Sequence, residues 1–269
     1  MNIALIGYGN MGKELETLIA EQKKHKIVSI SFKNVTDKLD LQGIKKADVA
    51  IDFTAPAVVL KNIETVAKLG THMVIGTTGW YQDTQKVKKI VQKAKIGFIF
   101  GSNFSIGANL YFKLVEHAGL LFDKFDSYDV YGYEIHHKGK KDSPSGTAKK
   151  IADILVKGSK QKKIAQFGKL DRQIGPEELH FASVRGGVNP GRHEVIFDSI
   201  ADEIILTHQA HGRRGFAEGA IMAAEFIRGK KGFYSFDDLF KKNDKKIYRG
   251  DYRFSYSIRK KRQNRRSWF

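Results

Sequence analysis

Apolar positions in roughly the first hundred residues alternate between short strand-like runs and segments with helical spacing. Asn2–Ile6 predicts a strand, Gly7–Gly12 a turn, and Met11, Leu15, Leu18 and Ile19 the buried stripe of a helix after it. Lys26–Phe32, Asp48–Phe53, His72–Ile75 and Ile96–Phe100 read as further strands. Pro56 suits the first turn of a helix that buries Ile63, Val66 and Ala67 and ends at Gly70. A Lys-rich helix is expected over Gln85–Lys95. Strands alternating with helices predict a parallel sheet joined by right-handed crossovers.

The pattern changes after Gly101. A helix is expected over Ile106–Phe122, a strand over Tyr128–Ile135 and a helix over Gly146–Val156. Three strand-like runs follow without helices between them: His180–Val184, His193–Asp198 and Glu203–Gln209. That succession predicts an antiparallel or mixed sheet. Phe216–Arg228 returns to helical spacing. The fold class expected is α/β: a Rossmann-type parallel-sheet nucleotide-binding domain plus a smaller α+β domain with a mixed or antiparallel sheet. We place the boundary near Asn103–Gly107, giving a dinucleotide-binding domain over 1–105 with 216–240 packing back onto it. Residues 106–215 then form a substrate-binding and oligomerisation domain, and 241–269 a basic extension.

Composition changes this picture in three places. No run of eighteen apolar residues indicates a membrane helix, and the N-terminus reads as a strand, not a cleaved signal, so a cytoplasmic protein is expected. With no cysteine, thiolate nucleophiles, disulfides and Cys-based metal sites are excluded. The net charge of +18 is uneven: Lys241–Phe269 carries twelve Lys/Arg against two Asp, leaving +8 on the preceding 240 residues. The charge of the body suits an anionic substrate and a phosphorylated cofactor.

Gly7, Tyr8, Gly9, Asn10, Met11 and Gly12 fit G-x-G-x-x-G between a strand and a helix. The first glycine permits the turn, the second lets backbone approach a pyrophosphate, and the third lets helix pack on strand. The helix start offers free N–H groups to the phosphates. Acids that bind ribose hydroxyls commonly end the second strand, but here Ser31, Phe32, Lys33 and Asn34 stand in that region. Lys33 would attract a 2′-phosphate, so NADPH is the expected cofactor, with NADH the alternative. Gly76, Thr77, Thr78 and Gly79 follow the fourth strand, and Gly101, Ser102, Asn103 and Phe104 the fifth. Small residues at those strand ends can approach a nicotinamide ribose, although each stretch alone is ordinary turn chemistry.

Glu134–Ala148 concentrates chemistry: His136 and His137 titrate near neutrality, Lys140 and Lys141 supply fixed charge, and Pro144-Ser145-Gly146-Thr147 opens a helix. The N–H groups of Gly146 and Thr147 can hold a carboxylate. A solvated Lys-rich loop is the plain alternative. No metal is expected, because adjacent histidines on a strand point to opposite faces.

This stretch resembles the 4-hydroxy-tetrahydrodipicolinate reductase (dihydrodipicolinate reductase) family, whose signature E-x-H-H-x-x-K-x-D-x-P-S-G-T-A is matched at every fixed position from Glu134 to Ala148. The resemblance extends over Asp52-Phe53-Thr54, Asn103-Phe104-Ser105, Arg185-Gly186-Gly187, His193-Glu194-Val195 and Phe216–Ala220, to about Phe240. It implies reduction of 4-hydroxy-tetrahydrodipicolinate with NAD(P)H in diaminopimelate and lysine biosynthesis. Water leaves from ring C4, hydride arrives there, and the ring is protonated. It further implies His136 as general acid with Lys140 its partner. A cyclic dicarboxylate would be held by His137, Lys140, Gly146 and Thr147, and the oligomer would be a homotetramer. Arg213 is a candidate contact on domain closure. Residues 241–269 have no counterpart in the family. Two rivals stand beside it: another two-domain Rossmann oxidoreductase of amino or hydroxy acids, which does not require the His-His unit, and a nucleic-acid-binding protein using Tyr252, Phe254, Tyr256 and Trp268 among the basic residues of the tail. No recognition fold accompanies that tail, so nucleic-acid contact takes the lesser weight.

Overall fold

A computed structural model describes residues 1–32 and 38–241 of the chain. Lys33 and nearly all of the basic extension therefore lie outside the described residues.

The parallel alternation is realised. Strands β1 (Asn2–Ile6), β2 (Lys26–Ser31), β3 (Val49–Asp52), β4 (His72–Ile75) and β5 (Gly97–Phe100) are joined by α1 (Asn10–Gln22), α2 (Leu41–Lys45), α3 (Pro56–Leu69) and α4 (Thr84–Ala94). The sheet has six strands, because β11 (Gly232–Ser235) pairs in parallel with β5 and completes the order β11-β5-β4-β3-β1-β2. Successive strand residues face opposite layers. Ile3 and Leu5 join α1 and α7 (Arg214–Ile227) in one core, whereas Ala4 and Ile6 join α3 and α4 in the other. Both faces are thus covered, which is why the central strands β1, β3, β4 and β5 are near-continuously apolar and do not alternate.

The second sheet has order β10-β9-β6-β8-β7, from β6 (Asp129–His136), β7 (Ile164–Gln166), β8 (Glu178–Arg185), β9 (Arg192–Asp198) and β10 (Glu203–Gln209). It is mixed: β6–β8 and β7–β8 run parallel, β6–β9 and β9–β10 antiparallel. Helices α5 (Ile106–Phe122) and α6 (Gly146–Gly158) cover one face, burying Val115, Ile151, Phe181, Val195 and Phe197 between them. The opposite face has no covering layer among the described residues, and Tyr131, Val184 and Ile205 are exposed on it.

Four short elements escaped the sequence pattern: α2, β7, β11 and a single 3-10 turn over Tyr81–Asp83. Each has five residues or fewer, below the length at which periodicity separates helix, strand and coil. The helix α2 is held by a tertiary contact, with Asp40 accepting from Gly43 N–H (2.9 Å) and Ser29 Oγ–H (2.8 Å). No helix among the described residues is long and apolar enough to cross a membrane.

Leu18 of α1 is fully buried in the core shared with α7. Leu18→Ala is expected to lower unfolding free energy by roughly 2–5 kcal/mol, read as a drop in the denaturation midpoint at unchanged slope.

Candidate active site

The glycine turn follows the steric requirements of its three positions. Gly7 has φ +94°, and a Cβ there would stand 2.5 Å from the Phe53 carbonyl oxygen. A Cβ on Gly12 would stand 2.4 Å from the Gly7 oxygen, so α1 could not sit so close to β1. Gly9 caps α1 without a side chain and faces open space, leaving the helix N–H groups accessible. Tyr8 is drawn aside by donating its hydroxyl to Glu16. Asn10 and Met11 begin the helix, and Met11 turns toward the cleft described below.

The loops after β3 and β4 hang on one buried carboxylate. Asp52 Oδ1 accepts from Thr54 N–H (2.9 Å), Thr54 Oγ1 (2.7 Å) and Thr77 Oγ1 (2.9 Å), and Oδ2 from Asn62 Nδ2 (2.9 Å). Burial raises the pKa of Asp52 against the opposing effect of these hydrogen bonds. Thr77 is consequently turned inward, its hydroxyl engaged by Asp52 and its carbonyl by Trp80 Nε1 (2.9 Å). The hydroxyl expected near a ribose is committed to holding the loop. After β5, Asn103 Oδ1 accepts from Ser105 N–H (2.8 Å), and Asn109 Nδ2 donates to the Asn103 carbonyl (2.9 Å).

A cleft of about 530 Å³ brings these loops to the second sheet. Met11, Gly76, Ser102, Asn103 and Phe104 line one side; His136, His137, Thr147, His193, His208 and Arg213 line the other. An adjoining hollow of about 360 Å³ is lined by His136, His137, Lys140, Gly146, Thr147 and Lys150, with Ser102 and Asn103. Gly7, Tyr8, Gly9, Asn10, Gly12, Thr77, Thr78 and Gly101 line neither space.

On the second sheet, side chains two apart on β6 share a face, which puts Glu134 and His136 together beneath the hollow. Glu134 is fully buried. Its Oε1 accepts from Ser145 N–H (2.9 Å), Ser183 Oγ (2.8 Å) and Arg185 Nη2 (2.7 Å). Its Oε2 faces His193 Nε2 at 3.3 Å and His136 Nδ1 at 3.4 Å. Burial alone would raise the Glu134 pKa, but the His193 imidazole beside Oε2 and the hydrogen bonds from Ser145 and Arg185 to Oε1 hold it well below the usual carboxylate range. His136 is 7% exposed. Burial, reinforced by His193, Lys140 and Arg185 and opposed by Glu134, pushes its pKa down to about 4. His208 is lowered too, by burial and by His193.

The expected anion site has the required local form. Ser145 caps α6, its Oγ accepting from Ala148 N–H (3.1 Å), and Gly146 and Thr147 open the helix beside the hollow. The Lys140 ammonium contacts Asp142 at 2.7 Å, not His136. His137 donates its N–H to the Asn189 carbonyl (2.7 Å), which fixes the chain just beyond β6. Arg185 bridges Glu134 and the Asp142 carbonyl (2.8 Å) and so ties the loop after β6 to the sheet.

Glu134, His136 and His193 bring three potential metal-ligating atoms within 4.8 Å of one another. The carboxylate is already paired with Arg185 and accepts from Ser145 N–H and Ser183 Oγ, which fits a hydrogen-bonded ion pair better than a dication site. Glu134, Arg185, His193 and His208 were not singled out from sequence as site residues. Strand register unites the first three: Glu134 stands opposite Ser183 on β8 and His193 on β9, and His136 opposite Arg185.

A doubly covered parallel sheet with a glycine turn at its first helix, opening onto a His- and Lys-lined hollow, defines the class of dinucleotide-binding oxidoreductases. "Dihydrodipicolinate reductase, N-terminus" matches residues 1–104, and "Dihydrodipicolinate reductase, C-terminus" residues 107–240. A 4-hydroxy-tetrahydrodipicolinate reductase of Christiangramia forsetii is 38% identical over 239 residues, covering 89% of this chain and 97% of that protein. One of Archaeoglobus fulgidus is 38% identical over 218 residues, covering 79% of this chain and 80% of that one. The dipicolinate-bound dihydrodipicolinate reductase from Paenisporosarcina sp. TG-14 superposes with a TM-score of 0.73 at 24% identity, over 89% of this chain and 99% of that one. The chain belongs to the dihydrodipicolinate reductase family, NAD(P)H-dependent oxidoreductases of diaminopimelate and lysine biosynthesis. The rival readings as a different two-domain dehydrogenase or a nucleic-acid-binding protein are not favoured.

The folded pKa of His136 lies below that of a free histidine, so between about pH 6.5 and 4 the unfolded chain binds a proton there that the folded protein does not. The contribution of His136 to stability is therefore intact above that window and declines as pH falls through it. An NMR titration of the unliganded protein should place the His136 midpoint near pH 4.

Proposed function

We propose that His136 is the general acid and Lys140 its cationic partner, acting on a ring diacid bound by His137, Lys140, Gly146 and Thr147. One observation carries this reading: a single cleft is lined by Met11 of the glycine turn, by the strand-end residues Gly76 and Ser102–Phe104, and by His136, His137 and Thr147. The nicotinamide cofactor, when bound, supplies hydride to ring C4. The chain supplies the rest. His137, Lys140 and the N–H groups opening α6 offset the two carboxylates, and the buried ring of His136 delivers a proton once hydride has arrived. The 4-hydroxyl leaves as water together with a hydrogen from the adjacent ring carbon, and hydride at C4 and a proton at that neighbouring carbon then take their places. Dipicolinate, bound by the Paenisporosarcina protein, is a ring diacid of the kind this hollow would take.

His136, neutral in the unliganded protein, must gain a proton before it can act. A dianion beside it raises its pKa, so substrate binding itself charges the acid. Lys140 reaches the substrate by exchanging Asp142, an exposed ion-pair partner that costs little to leave. Arg213, which lines the cleft, contacts the ligand as the two sheets close on it.

We take NADPH as the preferred cofactor, with Lys33 meeting the 2′-phosphate. Asp40, an acid beyond β2, is occupied by Gly43 and Ser29 at the start of α2 and does not offer itself to ribose hydroxyls. We also take Gly7–Gly12, Gly76–Thr78 and Gly101–Phe104 as the cofactor-binding loops, with Thr77 acting through its backbone. The division into 1–105 with 216–240, 106–215 and a 241–269 extension is part of the same proposal. The uncovered face of the second sheet, with Tyr131, Val184 and Ile205 exposed, is the surface we assign to a homotetramer.

His136→Gln and Lys140→Met should each lose roughly 10²-fold or more in kcat in an assay of NADPH oxidation with freshly generated substrate. Retained turnover in both would remove the assigned roles. Lys33→Ala should narrow the ratio of kcat/KM for NADPH over NADH; equal ratios before and after would take Lys33 out of the site. Ile205→Lys should lower the sedimentation coefficient toward that of a monomer, and an unchanged value would exclude this face as the interface.

A further inference from the structure

We propose that Glu134 is a positioning residue for His136: its Oε2 holds the inward Nδ1 of the imidazole and thereby presents Nε2 to the cleft. This rests on the role given to His136 above. His136 Nδ1 and Glu134 Oε2 are both shielded from solvent, both lack a hydrogen-bond partner, and face each other at 3.4 Å. Two orphaned buried atoms of complementary type are satisfied together by one N–H···O bond, formed when the gap shortens by a few tenths of an ångström. The opposite edge of the ring is kept clear. A Cβ on Gly191 would stand 3.0 Å from His136 Nε2, and Gly191 itself lines the cleft.

The carboxylate cannot swing away to make other bonds. Ser145 N–H, Ser183 Oγ and Arg185 Nη2 all donate to Oε1, which leaves Oε2 directed at His136 and at His193 Nε2, 3.3 Å away. A carboxylate oxygen has lone pairs for both rings. The neutral His136 ring therefore carries its proton on Nδ1 and a lone pair on Nε2. It takes a proton from solvent at Nε2, the imidazolium is stabilised by Glu134, and that same proton passes to the substrate. The ring returns to the Nδ1–H form, with one proton gained and one delivered.

The groups influencing His136 are Glu134 on its own strand, Arg185 at the end of β8, His193 on β9 and Lys140 on the loop. Only Glu134 is negative. Without that charge, protonating His136 would set one cation among other groups that are or can become positive.

Long-range 15N–1H spectra of the unliganded protein, with the His136 signals assigned by difference from His136→Gln, should show the Nδ1–H tautomer at neutral pH. A protonated Nε2 there overturns the proposal, and this readout needs neither turnover nor a Glu134 variant. Glu134→Gln should lower kcat about 10²-fold with NADPH affinity within about two-fold, and move the alkaline limb of kcat/KM down by about one pH unit or more. Loss of kcat with the tautomer and the pH profile both unmoved would make Glu134 merely structural and also overturns the proposal. If His136→Gln retains turnover while the tautomer is as expected, the role of His136 fails and the Glu134 contact stands.

Discussion

A carboxylate with no exposure to solvent, at the middle of the second sheet, constrains everything built around it. An isolated charge in such a place would cost several kcal/mol, so Glu134 is tolerable only because Arg185, Ser145, Ser183 and His193 surround it. Those partners come from β8, β9 and the first residue before α6. Satisfying one buried charge therefore fixes a strand register, a helix start and the loop between β6 and α6 in one arrangement. Such an ion pair is weak evidence for stability, since a packed apolar group could replace it at little cost. What an apolar group could not supply is orientation of the imidazole two residues further along the strand.

The nucleotide side uses the same device. Asp52, buried at the end of β3, collects hydrogen bonds from Thr54, Asn62 and Thr77 and so holds two strand-end loops at a common height. The two networks differ in charge. Glu134 is paired with a guanidinium and stays ionised, while Asp52 has only neutral donors and its pKa rises. The first suits a place where a proton must be stabilised on a neighbouring ring, the second a place where only geometry is needed.

Charge around the hollow follows from the same economy of neighbours. His137, Lys140 and Lys150 line it beside the start of α6, and Arg213 lines the adjoining cleft. Burial, with Lys140 and Arg185 beside the ring, helps keep His136 neutral. A dianionic ring would reverse the sign of the local field, coupling proton uptake to binding.

Much of the fold was legible along the chain because local periodicity reports it: strands β1, β4 and β10 and helix α5 carry the boundaries that spacing predicted, and the glycine turn announced its own conformation. The His-His/Lys/Pro-Ser-Gly-Thr order likewise marked the loop that lines the hollow, since its residues lie within fifteen positions. The edge strand β11 and the inward turn of Thr77 were not legible, being consequences of pairing with β5 and of a buried aspartate far away in sequence. Nor was the cluster of Glu134, Ser183, Arg185 and His193. Its members lie on three strands, and a one-residue slip in register would turn them to the uncovered face. Local sequence thus marked the stretch where titratable and charged groups concentrate, because residue type and short-range spacing are properties of the chain itself. Only the tertiary structure decided which nitrogen of His136 faces the cleft, because that depends on a buried charge whose partners meet through strand pairing alone.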